Sequence, residues 1–465
     1  MSYVPHNVLI TGGCGFIGSN VLNFLFRAWP NVNFINYDKL ILNADACNID
    51  EEIRNSNRYK LVTADIRNRD VMIHVLKAHQ IDTVIHFAAD CTSTRCYNDP
   101  CESIENNVVA FVEFLESIRE YAGVKRFVHI STDEVYGDSS VDDDNDKKDE
   151  NSLLIPNNPY AATKAAAENY VHLYRHMFNL PILMLRINNI YGPNQWNVKV
   201  VPRFIEIAKN CGKYTIQGSG KQLRSWLFVD DAANGIRIAV EKGVLGEVYN
   251  LGSYFEMNML DLAKVIQAEV DRQLGREPHT VEYVFVPDRP YNDLRYLLDI
   301  TKASTQLGWN PETPFEDGIR RVVSSALKEK SSSIPMSVLV VGGGGYIGQH
   351  IQKLLTARKI PFHVTKCKVG VDDDQNVIDE LNRLRGTHVI CCTGRTHGGS
   401  IKTIEYLEGG PDKVYQNVRD NLYSAVALAH ICSRLGLHYT YVGTGYLFKY
   451  NAEHPIGGKG YSENG

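Results

Sequence analysis

The chain has 465 residues, too many for one ordinary hydrophobic core, so two or more domains are expected. Its net charge of −5, with 44% hydrophobic and 22% charged residues, is typical of a globular protein and favours neither nucleic acid nor an anionic membrane as a partner. The chain starts without a basic segment followed by a long apolar stretch, and no apolar run could cross a bilayer, so we expect a cytoplasmic protein.

Short apolar runs rich in Val and Ile alternate with helical patterns over the first 190 residues. The runs are NVLIT (7–11), VNFINYD (32–38), YKLVTADI (59–66), DTVIHFAA (82–89), RFVHIST (126–132) and PILMLRI (181–187). This alternation predicts an α/β fold, a doubly wound parallel sheet with helices on both faces. The regularity weakens after residue 190, which predicts a small substrate lobe, mainly residues 190–227 and 254–330.

A repeat divides the chain. NVLITGGCGFIGSNVLNFLF, from Asn7, is matched by SVLVVGGGGYIGQHIQKLL, from Ser337, with the glycines at a constant offset of 330. Residues 331–336 between the copies are Ser-rich and contain a proline, which is typical of a linker. The sequence therefore predicts one domain over 1–330 and a second, incomplete unit of the same fold over 337–465.

Three glycines, Gly12, Gly15 and Gly18, follow a strand and open a helix. Glycine at these positions permits a tight turn and lets backbone approach a pyrophosphate, whose charge the helix N-terminus accepts. Asp38 ends the next strand, where a carboxylate accepts both ribose hydroxyls and repels a 2′-phosphate. The combination predicts a bound NAD; a glycine-rich turn without a ligand is the alternative.

A second motif is the pair Tyr160 and Lys164, whose spacing puts both side chains on one helix face. A cationic Lys beside a phenol favours the phenolate, so we expect Tyr160 to act as a base near neutral pH. Tyr121 and Lys125 have the same spacing, but they lead directly into a strand, and we discount them.

The stretch HISTDEVYG, residues 129–137, places Asp133 and Glu134 side by side after a buried strand. Neighbouring side chains on a continuing strand point to opposite faces. Both carboxylates can serve one site only if the strand ends near Thr132 and the backbone turns at Asp133. The alternative is a pair of ordinary polar loop residues.

Ten cysteines are spread along the chain, and Cys91, Cys96 and Cys101 lie five residues apart. This spacing matches no zinc pattern. We expect no metal site, and reduced thiols as in cytosolic proteins.

Together these motifs resemble the nucleotide-sugar branch of the extended short-chain dehydrogenase/reductase superfamily, and within it the NDP-glucose 4,6-dehydratases. The resemblance covers residues 1–330 and rests on TGGCGFIGSN, YDKL, ADIRN, VIHFAA, STDEVYG, NPYAATKAAAE, NNIYGPNQ, GKQLRSWLFVDD and DRPYNDLRYLLD. It implies a Rossmann fold and dehydration of UDP-glucose or dTDP-glucose with tightly bound NAD, in deoxysugar or rhamnose biosynthesis. It also implies a homodimer through helices near 103–121 and 160–178.

The resemblance assigns five catalytic residues. Tyr160, supported by Lys164, removes the C4 hydroxyl proton while NAD accepts the C4 hydride, and Thr132 binds the C4 oxygen. Glu134 removes the C5 proton, and Asp133 protonates the departing 6-hydroxyl. Such an acid stays protonated near neutrality only if burial or a neighbouring carboxylate raises its pKa.

The resemblance also implies two sets of contacts. The cofactor set is Gly12, Gly15, Phe16, Ile17, Gly18, Asp38, Lys39, Asp65, Ile66, Ala88, Ala89, Asn107, Tyr160 and Lys164. The substrate set is Asn189, Lys199, Arg224, Asn258, Arg289 and Tyr296. Its cations would neutralise the pyrophosphate, although for any single one a surface ion pair is an equal alternative.

Three residues depart from the family pattern and put the shape of the sugar pocket in question. They are Asp90, where Glu is usual, Thr92, where His is frequent, and Ile190, where many bacterial members have Asn. The segment RINNIYGPNQWNVKVVPRFI resembles plant rhamnose synthases more than bacterial enzymes, which favours a UDP-sugar over a dTDP-sugar.

The second unit resembles the 3,5-epimerase/4-keto-reductase unit of plant rhamnose synthase. Its cofactor loop contains Gly342, Gly345 and Gly348. Lys366 and Lys368 lie near its second strand. Their charges would pair with the 2′-phosphate of NADP, and ordinary solvated surface lysines are an equal alternative.

GTGYLFKYNAEHP matches that unit with Thr444 at the Ser/Thr position, but Tyr446 replaces the usual Cys, and no Tyr-x-x-x-Lys follows Lys164. We therefore expect no turnover by this unit alone, whether it is truncated, vestigial or completed by a partner.

Two other functions remain open for the first domain. A 4-epimerase needs Tyr160 but neither carboxylate of the Asp133–Glu134 pair. A non-catalytic NAD-binding scaffold needs none of the catalytic residues, and their presence argues against it.

Overall fold

The computed structural model describes residues 2–288, 293–328, 337–384, 386–394, 416, 418–435 and 437–442. The chain divides into two compact units, residues 1–328 and 329–465. The sequence-predicted linker 331–336, Arg289, Thr444 and Tyr446 lie outside the described residues.

The described strands and helices of the first unit follow in chain order. The strands are β1 Asn7–Thr11, β2 Asn33–Asp38, β3 Tyr59–Thr63, β4 Thr83–His86, β5 Arg126–Thr132, β6 Ile182–Ile187, β7 Ile190–Tyr191, β8 Tyr214–Gln217, β9 Leu223–Ser225, β10 Leu227–Phe228, β11 Val248–Leu251, β12 Glu256–Asn258 and β13 Tyr283–Val286. The helices are α1 Phe16–Ala28, α2 Glu51–Arg54, α3 Arg69–Ala78, α4 Ser93–Asn98, α5 Pro100–Ile104, α6 Ala110–Tyr121, α7 Pro159–Phe178, α8 Val200–Lys209, α9 Val229–Lys242, α10 Met259–Leu274 and α11 Phe315–Leu327.

Seven parallel strands form the main sheet, in the order β11-β6-β5-β4-β1-β2-β3. In β1, Leu9 lies opposite Ile35 of β2 and Val84 of β4. All six residues of β6 are buried, because a central parallel strand is covered on both faces. The expectation of a doubly wound parallel sheet is confirmed.

Side chains that alternate along each strand enter two cores, one on each face of the sheet. Val8 and Ile10 of β1 pack into the core that α1 and α9 cover. Leu9, between them, packs into the opposite core with Phe111 and Phe114 of α6. Each buried Leu, Ile or Phe contributes about 1.5–3 kcal/mol to folding, so the two cores hold the sheet rigidly beneath the loops.

The chain reverses direction across the sheet after β3. From β1 it proceeds to β2 and β3 on one side, and it returns to β4 on the other side of β1. Loops that leave neighbouring carboxyl ends in opposite directions open a crevice, which is where ligands bind in such sheets.

Three two-stranded sheets lie outside the main sheet, pairing β10 with β7, β12 with β9 and β13 with β8. Apart from Phe228, the last residue of β10, these strands fall within the segments predicted as the substrate lobe. Strands of two to four residues carry no clear periodic pattern, so the sequence indicated a loss of regularity here without predicting the strands.

The described part of the second unit contains a smaller parallel sheet. Its strands are β14 Val338–Val341, β15 Phe362–Val364, β16 His388–Cys391 and β17 His438–Tyr441, and its helices are α12 Tyr346–Ala357, α13 Asp374–Leu384 and α14 Ser424–Leu435. The order is β15-β14-β16-β17. The second strand of this unit ends at Val364, two residues before Lys366.

Candidate active site

A cavity of about 340 Å³ opens at the carboxyl ends of the main sheet's strands, which is within the range of small-molecule sites. It brings together many predicted residues that lie far apart in sequence. From the cofactor set it is lined by Gly12, Gly15, Phe16, Ile17, Gly18, Asp38, Lys39, Asp65, Ile66, Ala88, Ala89, Tyr160 and Lys164. From the remaining predicted residues it is lined by Thr132, Asp133, Glu134, Asn189 and Lys199.

The glycine loop leaves no space for side chains between β1 and α1. Gly12 has φ +72°, and a Cβ there would lie 2.8 Å from the backbone nitrogen of Ala88. A Cβ on Gly18 would lie 2.3 Å from the carbonyl oxygen of Gly12. The bare backbone and the N-terminus of α1 therefore face the cavity, an arrangement that fits a pyrophosphate.

Asp38 is 6% exposed and lies at the end of β2. Its Oδ2 accepts the N–H of Cys14 and its Oδ1 accepts the N–H of Leu40, each over 2.8 Å. Burial raises the pKa of Asp38 against these two hydrogen bonds. Each oxygen keeps a second lone pair for a ribose hydroxyl, and a 2′-phosphate would meet the carboxylate, so these residues fit NAD.

Asn107 lies behind the cavity and is buried in a π-helical turn, Glu105–Val109. Its amide exchanges two hydrogen bonds with the backbone of Asp90, over 2.7 and 2.9 Å, and donates to Thr163 Oγ1 over 3.0 Å. Asn107 therefore fastens the loop after β4 to α7, and its neighbour Asn106 lines the cavity instead.

The strand that carries the paired carboxylates ends as the sequence requires. β5 stops at Thr132, and a 3₁₀ turn begins at Asp133 and runs to Tyr136. Thr132 Oγ1 accepts the N–H of Glu134 over 3.3 Å, which caps this turn. Because the backbone turns here, both carboxylates line the same cavity.

A buried ion pair holds both ends of this turn. Arg186 of β6 pairs with Glu168 of α7 over 2.7 Å. Glu168 Oε1 accepts the hydroxyl of Ser131 over 2.5 Å, and Arg186 donates to the hydroxyl of Tyr136 over 2.7 Å. The pair therefore fixes the residues on either side of the carboxylates, a role that sequence analysis did not identify.

Asp133 is buried and has two hydrogen-bond donors. Asn188 Nδ2 lies 3.2 Å from its Oδ2, and the hydroxyl of Thr132 lies 3.1 Å from its Oδ1. Burial, followed by the charge of Glu134, raises the pKa of Asp133 to about 7. A substantial fraction of this carboxyl is therefore protonated at neutral pH, as a general acid requires.

Glu134 is half-buried and accepts a hydrogen bond from Asn158 Nδ2 over 2.8 Å. Burial raises its pKa, while the Asn158 donor and the charge of Lys199 oppose the rise. Asn158 and Asn188 were absent from the predicted site. The signal for Asn158 was its position before Pro159, typical of a helix N-cap.

Tyr160 and Lys164 lie in the first turns of α7 and face the cavity. Lys164 Nζ donates to the carbonyl oxygen of Ile130 over 2.6 Å, and burial lowers the pKa of Lys164 to about 8. The pKa of Tyr160 is raised well above its usual value, mainly by burial, with Cys91 and Glu134 adding to the effect. The role of Lys164 in favouring the phenolate of Tyr160 therefore stays a prediction.

The second Tyr-x-x-x-Lys match does not form a helical pair. Tyr121 ends α6, and Ala122 has φ +53°, which terminates the helix before Lys125. The interpretation that Tyr121 and Lys125 do not share a helix face is confirmed.

Three predicted substrate residues are not among those that line the cavity. Arg224 donates to the carbonyl oxygen of Asp293 over 2.8 Å, and its guanidinium lies 5.1 Å from the centre of the Tyr296 ring. Asn258 Oδ1 accepts the N–H of Asp261 over 2.9 Å and caps α10. In this structure these side chains therefore contact neighbouring residues within the segments predicted as the substrate lobe.

The described residues contain no group of three or more His, Cys, Asp or Glu side chains arranged to hold a metal ion. All ten cysteines are free thiols. Within the described part of the chain, no helix is both long and apolar enough to span a membrane.

Comparisons with known proteins agree with this geometry. The family model of GDP-mannose 4,6 dehydratase matches residues 9–322. The chain is 30% identical to the trifunctional UDP-glucose 4,6-dehydratase/UDP-4-keto-6-deoxy-D-glucose 3,5-epimerase/UDP-4-keto-L-rhamnose-reductase of Arabidopsis thaliana, over 99% of this chain and 75% of that protein. It is 37% identical to mouse dTDP-D-glucose 4,6-dehydratase, over 68% of this chain and 87% of that protein.

A solved structure of a 4,6-dehydratase is also similar to this chain. It is DesIV, the dTDP-glucose 4,6-dehydratase of Streptomyces venezuelae with NAD and TYD bound, which matches with a TM-score of 0.63 and 33% identity over 69% of this chain and 96% of that one. The resemblance stated from the motifs is thus confirmed, and the chain belongs to the GDP-mannose 4,6 dehydratase family.

Proposed function

We propose that the first unit dehydrates a nucleoside-diphosphate glucose to the 4-keto-6-deoxy sugar, with tightly bound NAD, in deoxysugar or rhamnose biosynthesis. UDP-glucose is the first candidate substrate and dTDP-glucose the second. The observation that carries this proposal is the placement of Asp133 and Glu134 in one cavity with Tyr160. The dehydratases named among the relatives support it.

Bound NAD⁺ supplies the hydride acceptor for C4, the hydride that later returns to C6, and a positive charge that favours the phenolate. The glycine loop and Asp38 would hold it. Tyr160 removes the C4 hydroxyl proton, and Thr132 binds the same oxygen. Since burial raises the pKa of Tyr160, its deprotonation depends on positive charges beside the phenol, that of Lys164 among them.

The carboxylate pair performs the elimination. Glu134 removes the C5 proton, which the 4-keto group has made acidic. Asp133, whose pKa is raised to about 7, gives its proton to the departing 6-hydroxyl, and water leaves. Because the carboxylates interact, they titrate as a pair. The elimination therefore needs the one protonation state in which Asp133 is neutral and Glu134 is charged.

We propose that Asn189 and Lys199 bind the sugar and pyrophosphate from the cavity wall. Lys199 Nζ donates to the carbonyl oxygen of Cys91 over 3.2 Å, which keeps its charge at the cavity. The lobe formed by 190–227 and 254–330 would add Arg224, Asn258, Arg289 and Tyr296 when substrate binds.

The test is incubation of the purified chain with UDP-glucose and with dTDP-glucose, followed by mass measurement of the product. Loss of one water from either sugar supports dehydration. An unchanged mass with a new epimer would instead establish a 4-epimerase. Unchanged sugar in both incubations, with NAD retained, would favour the binding scaffold.

We also propose a cytoplasmic homodimer. Free thiols are usual in a reducing compartment. The helices predicted for the dimer face expose several apolar side chains, namely Ile104, Val109, Tyr170, Leu173, Met177 and Phe178. Light scattering on the wild type and on Leu173→Glu tests the interface, because a buried charge should yield monomers.

For the second unit we propose an NADP site without turnover of its own. A Cβ on Gly342 would lie 2.9 Å from the Cys392 carbonyl carbon. The glycine loop of this unit therefore leaves no space for a side chain at that position, as in the first unit. Lys366 and Lys368 support NADP, whereas Glu380, which accepts the N–H groups of Lys366 and Cys367, opposes it. A Gly12→Val variant blocks the cofactor loop of the first unit, so the binding that remains reports on the second unit. Tighter binding of NAD than of NADP by this variant would contradict the proposal.

A further inference from the structure

A thiol, an imidazole and a carboxylate form a relay on the surface of the first unit, outside the cavity. Cys211 follows α8, Asp271 lies near the end of α10, and His279 lies between α10 and β13. His279 Nε2 is 3.3 Å from the sulfur of Cys211, and His279 Nδ1 is 3.2 Å from Asp271 Oδ1. A nucleophile in contact with a base that a third group orients is the usual signature of an activated nucleophile.

The carboxylate of this relay is rigidly held. Asp271 is 2% exposed, its Oδ2 accepts the backbone N–H of His279 over 2.8 Å, and its Oδ1 accepts from Gln267 Nε2 over 3.0 Å. Burial opposes ionisation, but the hydrogen bonds from His279 and Gln267 outweigh it and lower the pKa of Asp271. An ionised Asp271 retains the proton on His279 Nδ1, which leaves the Nε2 lone pair directed at the thiol.

A guanidinium completes the cluster. Arg276 Nη1 lies 3.3 Å from the sulfur of Cys211. The same side chain donates to the carbonyl oxygens of Lys209 and Ala208, each over 3.0 Å, at the end of α8. These carbonyls, together with an ion pair to Asp271 over 3.3 Å, hold the guanidinium beside the sulfur, to which it donates a hydrogen bond.

Two simpler readings do not account for the whole cluster. A metal site needs ligands that converge on one point, whereas here the thiol and the carboxylate contact opposite nitrogens of one imidazole. Capping of α8 explains Arg276 but not why His279 contacts the sulfur. Cys211 is also exposed, so the thiol is open to reagents in solution.

We propose that Cys211 is a reactive thiol that exchanges with low-molecular-weight disulfides. His279 Nε2 takes the thiol proton, and the Cys211 sulfur attacks one sulfur of the disulfide. The disulfide bond breaks as the new mixed disulfide forms, and the leaving thiolate takes the proton back from His279. The disulfide is the oxidant, so one small thiol is released for each cysteine modified.

The experiment exposes the full-length chain to oxidised glutathione and measures adducts on the Cys211 peptide over time by mass spectrometry. We expect Cys211 in the folded protein to react roughly tenfold faster near neutral pH than the same thiol in urea, because a free thiol is only slightly ionised there. The His279→Gln variant should lose this advantage. Cys211→Ser confirms the peptide assignment.

The adduct rate at Cys101, an exposed thiol remote in sequence, serves as the control for folding in every variant. A slower rate at Cys211 with an unchanged rate at Cys101 supports the relay. The proposal is overturned if folded and unfolded Cys211 react equally fast. It is also overturned if His279→Gln reacts as fast as the wild type.

Discussion

The amide of Asn158 joins the start of α7 to the carboxylate of Glu134. Its Nδ2 donates to Glu134 Oε2 over 2.8 Å, while its Oδ1 accepts the N–H of Ala161 over 2.9 Å. The backbone bond fixes the orientation of the amide, so the donor necessarily faces the carboxylate. Tyr160 lies within the capped turn, and one side chain therefore positions the proposed base relative to the tyrosine.

The first prediction separates the two bonds of Asn158. Asn158→Ser keeps a capping oxygen, but its side chain is too short to reach Glu134. The pKa of Glu134 should rise, because the donor that lowers it is lost. Since the base must be ionised, the acidic limb of the pH–rate profile should move to higher pH, with roughly tenfold slower turnover on that limb.

Asn158→Ala is the matched variant for the cap. It loses both bonds and should be destabilised by about 1 kcal/mol more than Asn158→Ser in urea unfolding. An acidic limb that stays in place in both variants would contradict the proposed influence of Asn158 on the base.

The second prediction distinguishes oxidation from elimination. Glu134→Gln should slow dehydration by ~10²–10⁴-fold yet leave C4 oxidation intact, so the absorbance of reduced cofactor should accumulate after substrate is added. Tyr160→Phe should give no such signal, because the C4 hydroxyl keeps its proton. Tyr121→Phe, from the discounted motif, should behave as the wild type. Full turnover by Glu134→Gln would refute the base assignment.

The third prediction concerns stability and pH. In the folded protein the pKa of Asp133 is raised from 3.8 to about 7, so between these values the folded state binds more protons than the unfolded chain. The free energy of unfolding contributed by this group therefore falls as pH rises through that window, and it levels above about pH 7. Asp133→Asn cannot ionise, so its stability relative to the wild type should grow over the same window.

The gain has an upper limit of about 4 kcal/mol, from the difference between the ordinary and raised pKa values. Urea unfolding at about pH 5 and about pH 8 covers roughly two thirds of this window, so a gain of up to about 3 kcal/mol should appear between the two measurements. Asp142→Asn, at an exposed aspartate, is the control and should change little at either pH. A constant difference between Asp133→Asn and wild type would show that Asp133 titrates normally.

The fourth prediction tests the cofactor site. Asp38→Asn replaces one acceptor oxygen by a donor, which must face the N–H of Cys14 or that of Leu40. We expect roughly tenfold weaker NAD binding and weaker rejection of NADP. Cofactor released on denaturation, measured per mole of chain, reports this loss. Asp45→Asn is the exposed control, and equal NAD content in both variants would exclude Asp38 as a ribose ligand.

Sequence by itself determined the framework of the site. The parallel sheet follows from alternating apolar runs, and the bare loop at Gly12 and Gly18 follows from spacing that only glycine satisfies. The turn at Asp133 was also predictable, because two adjacent carboxylates cannot otherwise face one cavity. These features depend on residues that are neighbours along the chain, so local pattern is sufficient.

Only the tertiary structure decided which groups tune that site. Asn158 contacts Glu134 across 24 residues, and Asn188 contacts Asp133 across 55. The high pKa of Tyr160 likewise comes from burial, which no spacing reveals. Hydrogen-bond partners and desolvation depend on how helices and strands pack, and two residues remote in sequence carry no local signal of their contact. For this reason only the folded structure identifies Asn158 and Asn188 as the partners of the two carboxylates.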